Sequence, residues 1–381
     1  MTELQKNTDK TSSVDDLRSI TITNAEHEQR LDKFLRKLCK PYTEIKLADI
    51  FSWIRKGHLK VNGRKQKENY RLQERDVLTR HPKVRVDRSF LDFAKTKKEK
   101  IKELDIEYIK SMIIYEDENR IGRNKPPNLV MHPGPKNKSA PSLHDYMMSY
   151  LKQSWQKSNS ETFVASFCHR LDKDTSGLVI SAKTYDWLKW LNEQIRERKV
   201  SKVYHAIVIW HLEQSELDRR TKFIKVKPEL ILDASKTVLP GHIHSADGIH
   251  ITASLYTWYN KKSGRAQTFV NDMHPEHKEA HTIITPVHYI KHPDLWPLTF
   301  VQAQIKTGRM HQIRVHAAHI WFPIVWDLTY GIPAINRQAS KKAFITRQQL
   351  HASMFSFTWL DWETIEMQSY MADDIKEIIQ N

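Results

Sequence analysis

"HRLDKDTSG", residues 169–177, sets five ionisable side chains against a Thr-Ser-Gly turn, with an apolar run on either side. Upstream is "TFVASFC" (162–168) and downstream "GLVISAKT" (177–184), both rich in β-forming residues. Short apolar runs bounded by turn residues read as buried strands, so this charged stretch is a loop between two of them. Loops carried by rigid strands are where chemistry concentrates.

The neighbouring segments extend the pattern. "YDWLKWLNEQIRERK" (185–199) places Leu188, Leu191 and Ile195 on one helical face, and "VYHAIVIW" (203–210) reads as a strand. "LTFVQAQIKTGRMHQIRVHAAHIW" (298–321) reads as strand, turn, helix; "RQQLHASMFSFTWL" (347–360) as a strand; and "DDIKEIIQ" (373–380) as a closing helix. Before the opening loop, residues 108–142 give strand, turn, strand and a Pro/Gly/Asn/Lys loop, and "LHDYMMSYLKQSW" (143–155) an amphipathic helix. Residues 211–297 are the least legible and predict an insertion or extra sheet. The sum is an α+β catalytic-size domain over 109–381, with a mixed, mainly antiparallel sheet flanked by helices.

A smaller α/β domain precedes it, over 19–84. Leu31, Phe34, Leu35 and Leu38, then Leu47, Ile50, Phe51 and Ile54, predict a helix pair closed by Gly57. Asn62-Gly63 signals a hairpin, and "RDVLTRH" (75–81) a third strand. Lys46, Arg55, Lys56, Lys60, Arg64 and Lys65 put charge of one sign on this unit. Residues 1–18 read as a flexible tail and the Lys-rich 85–108 as a basic linker holding a possible helix.

Sixty-one Lys and Arg face 45 Asp and Glu, a formal net charge of +16, which favours a polyanionic partner, nucleic acid before an anionic membrane. The N-terminus has no apolar signal region and no run reaches membrane-spanning length, so a cytoplasmic chain without a membrane partner is expected. Cys39 and Cys168, the only cysteines, form neither a disulfide framework nor a Cys-type zinc site and are expected as small buried hydrophobes. If "HPEHKEAH" (274–281) were helical, His274, His277 and His281 would share a face and suggest zinc; with no acidic fourth ligand, a solvated basic surface is the simpler reading and no metal is expected.

Two chemistries compete for the opening loop. Asp172, Asp174 and Thr175 loosely resemble a magnesium-dependent phosphatase nucleophile loop, but His169 and Arg170 separate them from the strand and the threonine is one place early. The combination of "HRLDKDTSG", "KVYHA", "TGRMHQIRVH", "DLTYG", "YEDENRIGRNKPPNLVMHPG" and "RQQLHA" resembles, in order and spacing, the RluA-type RNA pseudouridine synthases across residues 109 to about 362. "RLDKFLRKL", "IRKGHLKVNGRK" and "YRLQERDVL" are similar to an S4-like RNA-binding domain, a combination most like the subgroup acting on large-subunit ribosomal RNA.

The resemblance implies that Asp172 is the catalytic carboxylate at C1′ of a flipped-out uridine, Arg314 its ion-pair partner and Tyr204 the residue packing on the uracil, with a candidate role in proton transfer at C5. It extends substrate contact to His169, Arg170, Thr175, Gly177, Lys202, Arg309, His311 and Gln312, with Arg170 filling the vacated stack. The isomerisation has no redox change and implies no cofactor; RNA is the expected partner of a monomer. Alternatives are an RNA-binding or ribosome-assembly factor without turnover, and a transfer-RNA synthase. Departures from the family pattern are Trp326 and Asn128 where glycine is usual, aromatic Phe322 ahead of Pro-Ile, and Gly122-Arg123 in an apolar strand.

Overall fold

A computed structural model describes residues 19–23, 26–39, 45–80, 105–133, 140–154, 165–213, 248–260, 265–271, 273–359 and 363–380. The predicted tail, residues 85–104 of the linker and residues 214–247 lie outside them. The chain divides into two compact units.

The first unit holds β1 (Ser19–Thr21), α1 (Leu31–Leu38), α2 (Leu47–Arg55), β2 (Leu59–Val61) and β3 (Val77–Arg80). Its three strands run in the order β1-β3-β2, all antiparallel. The first predicted stripe and half of the second form its core: Leu31, Phe34, Leu35, Leu38, Ile50 and Ile54 are buried, packed on Leu59, Val61, Leu72 and Leu78, whereas Leu47, in the first turn of α2, is exposed and Phe51 half-buried. Asn62 and Gly63 both take positive φ, as a type I′ turn requires. The hairpin differs from expectation, however: after the turn Arg64 makes a single bridge to Val61, and β2 finds its long partner in β3. Charged residues 64–68 have nothing apolar to bury, so no second strand propagates.

The second unit contains α3 (Ile106–Ser111), β4 (Ile113–Glu116), β5 (Arg120–Lys125), α4 (Leu143–Ser154), β6 (Ser166–Phe167), β7 (Ser176–Ala182), α5 (Tyr185–Arg196), β8 (Val200–Ile209), β9 (Ile249–Thr252), β10 (Leu255–Asn260), β11 (Arg265–Val270), β12 (His281–Ile290), β13 (Leu298–Ile305), α6 (Gln312–His319), α7 (Pro333–Ala343), β14 (Leu350–Thr358), β15 (Thr364–Gln368) and α8 (Asp373–Gln380). Ten strands form one sheet in the order β4-β5-β7-β14-β8-β13-β12-β9, with β6 on β7 and β15 on β14. Every pairing is antiparallel except β14 with β7.

Strand β8 shows how the sheet is covered on both faces. Tyr204, Ala206 and Val208 face one core with Leu171, Ile313, Ala317 and Ile320, while Ile207 and Ile209 face another with Ile335, Ala339, Ile375 and Ile378. A strand buried on both sides loses the polar alternation of a half-exposed one, which is why 203–210 is nearly all apolar. Among the described residues of 211–297, β9 and β12 belong to the main sheet, and β10 and β11 pair with each other apart from it. No helix forms over 274–281; the segment is a pair of turns stabilised by the Glu276 amide donating to His274 Nδ1 and the His277 amide to the His274 carbonyl. A proline at 275 and histidines bonding locally favour such turns over a helix. Cys39 and Cys168 are free and buried. Among the described residues no helix is long and apolar enough to cross a membrane.

Candidate active site

The loop 168–175 joins β6 to β7 and is held from three directions. Arg314 Nη1 donates to Asp172 Oδ2 at 2.8 Å, Lys125 Nζ donates to the Lys173 carbonyl at 2.8 Å, and Gln348 Nε2 donates to Thr175 Oγ1 at 2.5 Å. Lys125 is fully buried and also donates to the carbonyls of Pro126 and Leu129, so the cation is spent on bracing backbone. Burial pushes its pKa down to about 7. Downstream, Gly177 has φ +109 and lies so close to β14 that a Cβ there would sit 2.2 Å from the Ala352 carbonyl oxygen. Only glycine permits this parallel pairing, which fixes where the loop ends.

Arg314 is the hub. Its Nε and Nη2 donate to Asp327 Oδ2 and Oδ1 at 2.6 and 2.9 Å, a bidentate pair, leaving Nη1 for Asp172. Asp327 is buried, and its Oδ1 also accepts the amides of Thr329 and Tyr330 at 2.9 and 3.0 Å. The guanidinium carbon lies 5.2 Å from the Tyr330 ring centroid. Burial alone disfavours both charges. Asp327 and Asp172 more than reverse this for Arg314, whose pKa rises; Arg314 and the two amides do the same for Asp327, whose pKa falls. Asp172 thus meets a rigid, permanently charged donor.

Helix α6 is not the solvated helix its polar sequence allows. Gln312, Ile313, Arg314, Val315, His316 and Ala317 are all buried, and His316 bonds Thr282 and the Ala253 carbonyl through its two ring nitrogens. The preceding His311 takes a left-handed backbone, φ 56, and this turn brings its Nε2 to 3.7 Å from Asp172 Oδ2. Its Nδ1 meets the Tyr330 hydroxyl at 2.9 Å, whose oxygen accepts the Thr268 amide. Since the Tyr330 oxygen accepts that amide, its own proton is available to Nδ1, an arrangement that leaves the His311 proton on Nε2, the nitrogen nearer Asp172. Burial lowers the His311 pKa, against the pull of Asp172.

Tyr204 is buried beside this group, and burial first, then the Asp172 charge, raises its pKa, so the phenol keeps its proton. Its position in β8 is set by pairing with Ala303 and Ala352.

Asp172, Tyr204, His311 and Arg170 line a cleft of about 740 Å³, and a smaller recess of about 70 Å³ adjoins it at Arg314. Six cations line the larger cleft, Arg170, Arg196, Arg198, Lys202, Lys306 and Arg309, against the single carboxylate of Asp172. Surface pairs of Arg196 with Glu193 and Arg198 with Glu279 take little from that field. A concave site of one sign concentrates an anionic ligand. Lys202, largely buried over the Phe355 ring, has its pKa lowered to about 8 by burial.

The fold therefore gathers Asp172, Arg314, Tyr204, Arg170, His169, Lys202, Arg309 and His311 around one cavity system. Three expected substrate contacts are otherwise engaged. The Gln312 side chain is buried, accepting from Thr307 Oγ1 and the Arg309 amide and donating to the His281 carbonyl and Thr282. Thr175 is buried under Gln348, and Gly177 serves the β7–β14 contact. His169 reaches the cleft, but its Nε2 accepts the Ile180 amide and its ring stacks on Phe355; burial lowers its pKa. Lys46, Arg55, Lys56, Lys60, Arg64 and Lys65 are all exposed on the first unit. Asp327, Tyr330, Lys125 and Gln348 were not singled out from the sequence; the first two stand in "WDLTYG", where an acid and an aromatic follow the apolar stretch "FPIV" directly.

The sequence model described as RNA pseudouridylate synthase matches residues 121–319, more than half of the chain. The ribosomal large subunit pseudouridine synthase C of Buchnera aphidicola subsp. Baizongia pistaciae is 29% identical over 340 residues, covering 89% of this chain and 88% of that protein. The ribosomal large subunit pseudouridine synthase D of Escherichia coli O157:H7 is 27% identical over 370 residues, covering 95% and 93%. Among solved structures, human RNA pseudouridylate synthase domain containing 4 superposes with a TM-score of 0.50 at 17% identity, covering 73% of this chain and 95% of that one, a likeness of fold. A matching fold, a carboxylate on an arginine in a cationic cleft, and a family match spanning both put the chain in the RNA pseudouridylate synthase family, which isomerises uridine to pseudouridine in RNA.

Proposed function

We propose that this pseudouridine synthase acts on large-subunit ribosomal RNA and that Asp172 is the carboxylate working at C1′ of the target uridine. The observation that carries the residue assignment is Asp172, the one acid among six cations lining the cleft, tied through Arg314 to the buried Asp327 behind it. A relative named for the large ribosomal subunit, aligned over nearly nine-tenths of both chains, supports the choice of RNA.

In the reaction the N1–C1′ bond breaks, the uracil turns, a C5–C1′ bond forms, and the C5 proton is lost while N1 gains one; no atoms or electrons are exchanged otherwise. Asp172 serves either by adding to C1′ or by balancing the positive charge that develops there, as a glycosidase carboxylate does. Arg314 pairs with it and orients it, and Asp327 holds Arg314. Tyr204 packs against the uracil; since it keeps its own proton, it acts on the C5 proton only by passing one on. Extruding the nucleotide costs a few kcal/mol. The exposed Arg170, at the mouth beside Asp172, fills the gap in the stack, while Lys202, Lys306 and Arg309 take phosphates. The first unit, through the exposed Lys46, Arg55, Lys56, Lys60, Arg64 and Lys65, acts as an S4-like clamp over residues 19–84, joined by the 85–108 linker to a monomeric catalytic domain.

Mapping pseudouridines by carbodiimide-dependent reverse-transcription stops, in total RNA from cells with and without the gene, tests the substrate. Stops in large-subunit ribosomal RNA should vanish with the gene and return with wild type but not with Asp172→Asn. Stops lost only from transfer RNA would overturn the substrate; no lost stop would favour a binding protein without turnover.

A further inference from the structure

A second cleft of about 600 Å³ opens beside the first and shares Gly308, Arg309 and Met310 with it. Its far wall is Leu255, Tyr256 and Thr257 of β10, and its rim is Glu276, His277 and Lys278. The β10–β11 register decides what this wall presents. Tyr256 lies opposite Phe269 and Trp258 opposite Gln267, so Tyr256, Trp258 and Phe269 share one face, while Leu255, Thr268 and Val270 share the other. Leu255 and Val270 pack with Ala280, Val315 and Tyr330. These contacts anchor the hairpin at its Leu255–Val270 end and leave the face of Tyr256 open: Trp258 is 47% and Phe269 42% exposed, and Tyr256 stacks on His274 with centroids 3.5 Å apart.

Solvent-exposed aromatics on a strand ribbon are costly unless something covers them. The occupant is indicated by continuity and charge. The groove runs on from the cationic cleft across Arg309, and its rim adds Lys278 and His277 against the single acid Glu276. Flat aromatic rings beside basic side chains are the composition that binds unpaired nucleotides, by stacking each base and neutralising each phosphate. A base-paired stem has no free base face to offer such rings.

We propose that this second cleft, with the Tyr256–Trp258–Phe269 face, is a subsite for unpaired nucleotides adjoining the target uridine, so that the enzyme selects a uridine in a single-stranded segment rather than within a stem. The proposal rests on the RNA substrate above but not on which RNA it is.

The test uses the full chain and two probes without uridine, which cannot react: an oligoadenylate, and a guanosine–cytidine RNA duplex of matched length. Wild type should bind the oligoadenylate more tightly than the duplex. Trp258→Ala with Phe269→Ala should weaken oligoadenylate binding by about tenfold or more, the scale of losing one or two stacked bases, with the duplex unaffected. Trp258→Phe should restore most of the loss, which a folding defect would not allow. Lys278→Gln should lower the salt slope of oligoadenylate binding by about 0.7, one single-strand phosphate contact. Equal binding of both probes by wild type, or an aromatic double variant indistinguishable from it, would overturn the subsite. Failure of the ribosomal RNA reading shows instead in the reverse-transcription map and leaves these affinities unchanged.

Discussion

At the scale of single residues, the site is a charge held in place by other charges. Asp172→Asn keeps the shape of the side chain and removes its negative charge, so kcat should fall by at least about 10³-fold, the scale of losing one preorganised group in a transition state. Circular dichroism and RNA affinity should stay at wild-type levels. Asp327 touches no part of the cleft, yet Asp327→Asn strips Arg314 of its buried counter-charge and should cost roughly 3–5 kcal/mol in urea unfolding, as breaking a buried pair does. An unchanged midpoint would show that Arg314 is anchored some other way. Residue identity also explains two departures from the family pattern. Trp326 and Asn128 stand where glycine is usual, and both have positive φ, 60° and 64°. Asparagine tolerates that conformation readily. Trp326 keeps it with its amide donating to Asn336 Oδ1.

Among elements, β7 and β14 decide whether the catalytic loop closes. Gly177→Ala would drive a methyl group into the Ala352 backbone at a strained φ, and a loss of more than about 3 kcal/mol is expected in thermal or urea unfolding. Full stability would mean that the loop is set elsewhere. The strands and helices carrying the loop were legible because each buries a nearly continuous apolar run or stripe, as in 177–182 and 203–209. Arg314 and Asp172 were found through motif resemblance. Periodicity alone does not single out Arg314, because α6 is buried around most of its circumference and has no polar side to read. Asp327, Lys125 and Gln348 escaped for a related reason: a buried polar side chain bonding to distant backbone leaves no periodic trace. The strands of 249–290 were obscure because polar Thr and His residues recur along them, and because β9 pairs with β12, across the separate β10–β11 hairpin, rather than with the next strand in sequence.

Over the whole molecule, charge and protonation govern both stability and binding. His351 is fully buried, with Ser176 and Ser369 on its two nitrogens, and burial pushes its pKa down to about 3. The unfolded chain protonates this group near pH 6.5, the folded chain only near pH 3, so the unfolded state binds more protons between those values. Stability contributed by neutral His351 is therefore whole above pH 6.5 and lost as pH falls, by up to about 1.4 kcal/mol per pH unit. His351→Asn should flatten the dependence of urea stability on pH between pH 6 and 4.5 by close to one proton, about the linkage slope of one titrating group; an unaltered slope would place the titration in other groups. RNA affinity should fall steeply with salt, since the six cations that line the cleft displace counterions from bound RNA.

The most direct test of the central claim, that the Asp172 carboxylate performs the isomerisation, is tritium release from RNA labelled at uracil C5. Only the rearrangement frees that hydrogen to water. Purified wild type should release label from ribosomal RNA of cells lacking the gene, and Asp172→Asn should bind the same RNA and release none. Release by Asp172→Asn at the wild-type rate would contradict the account.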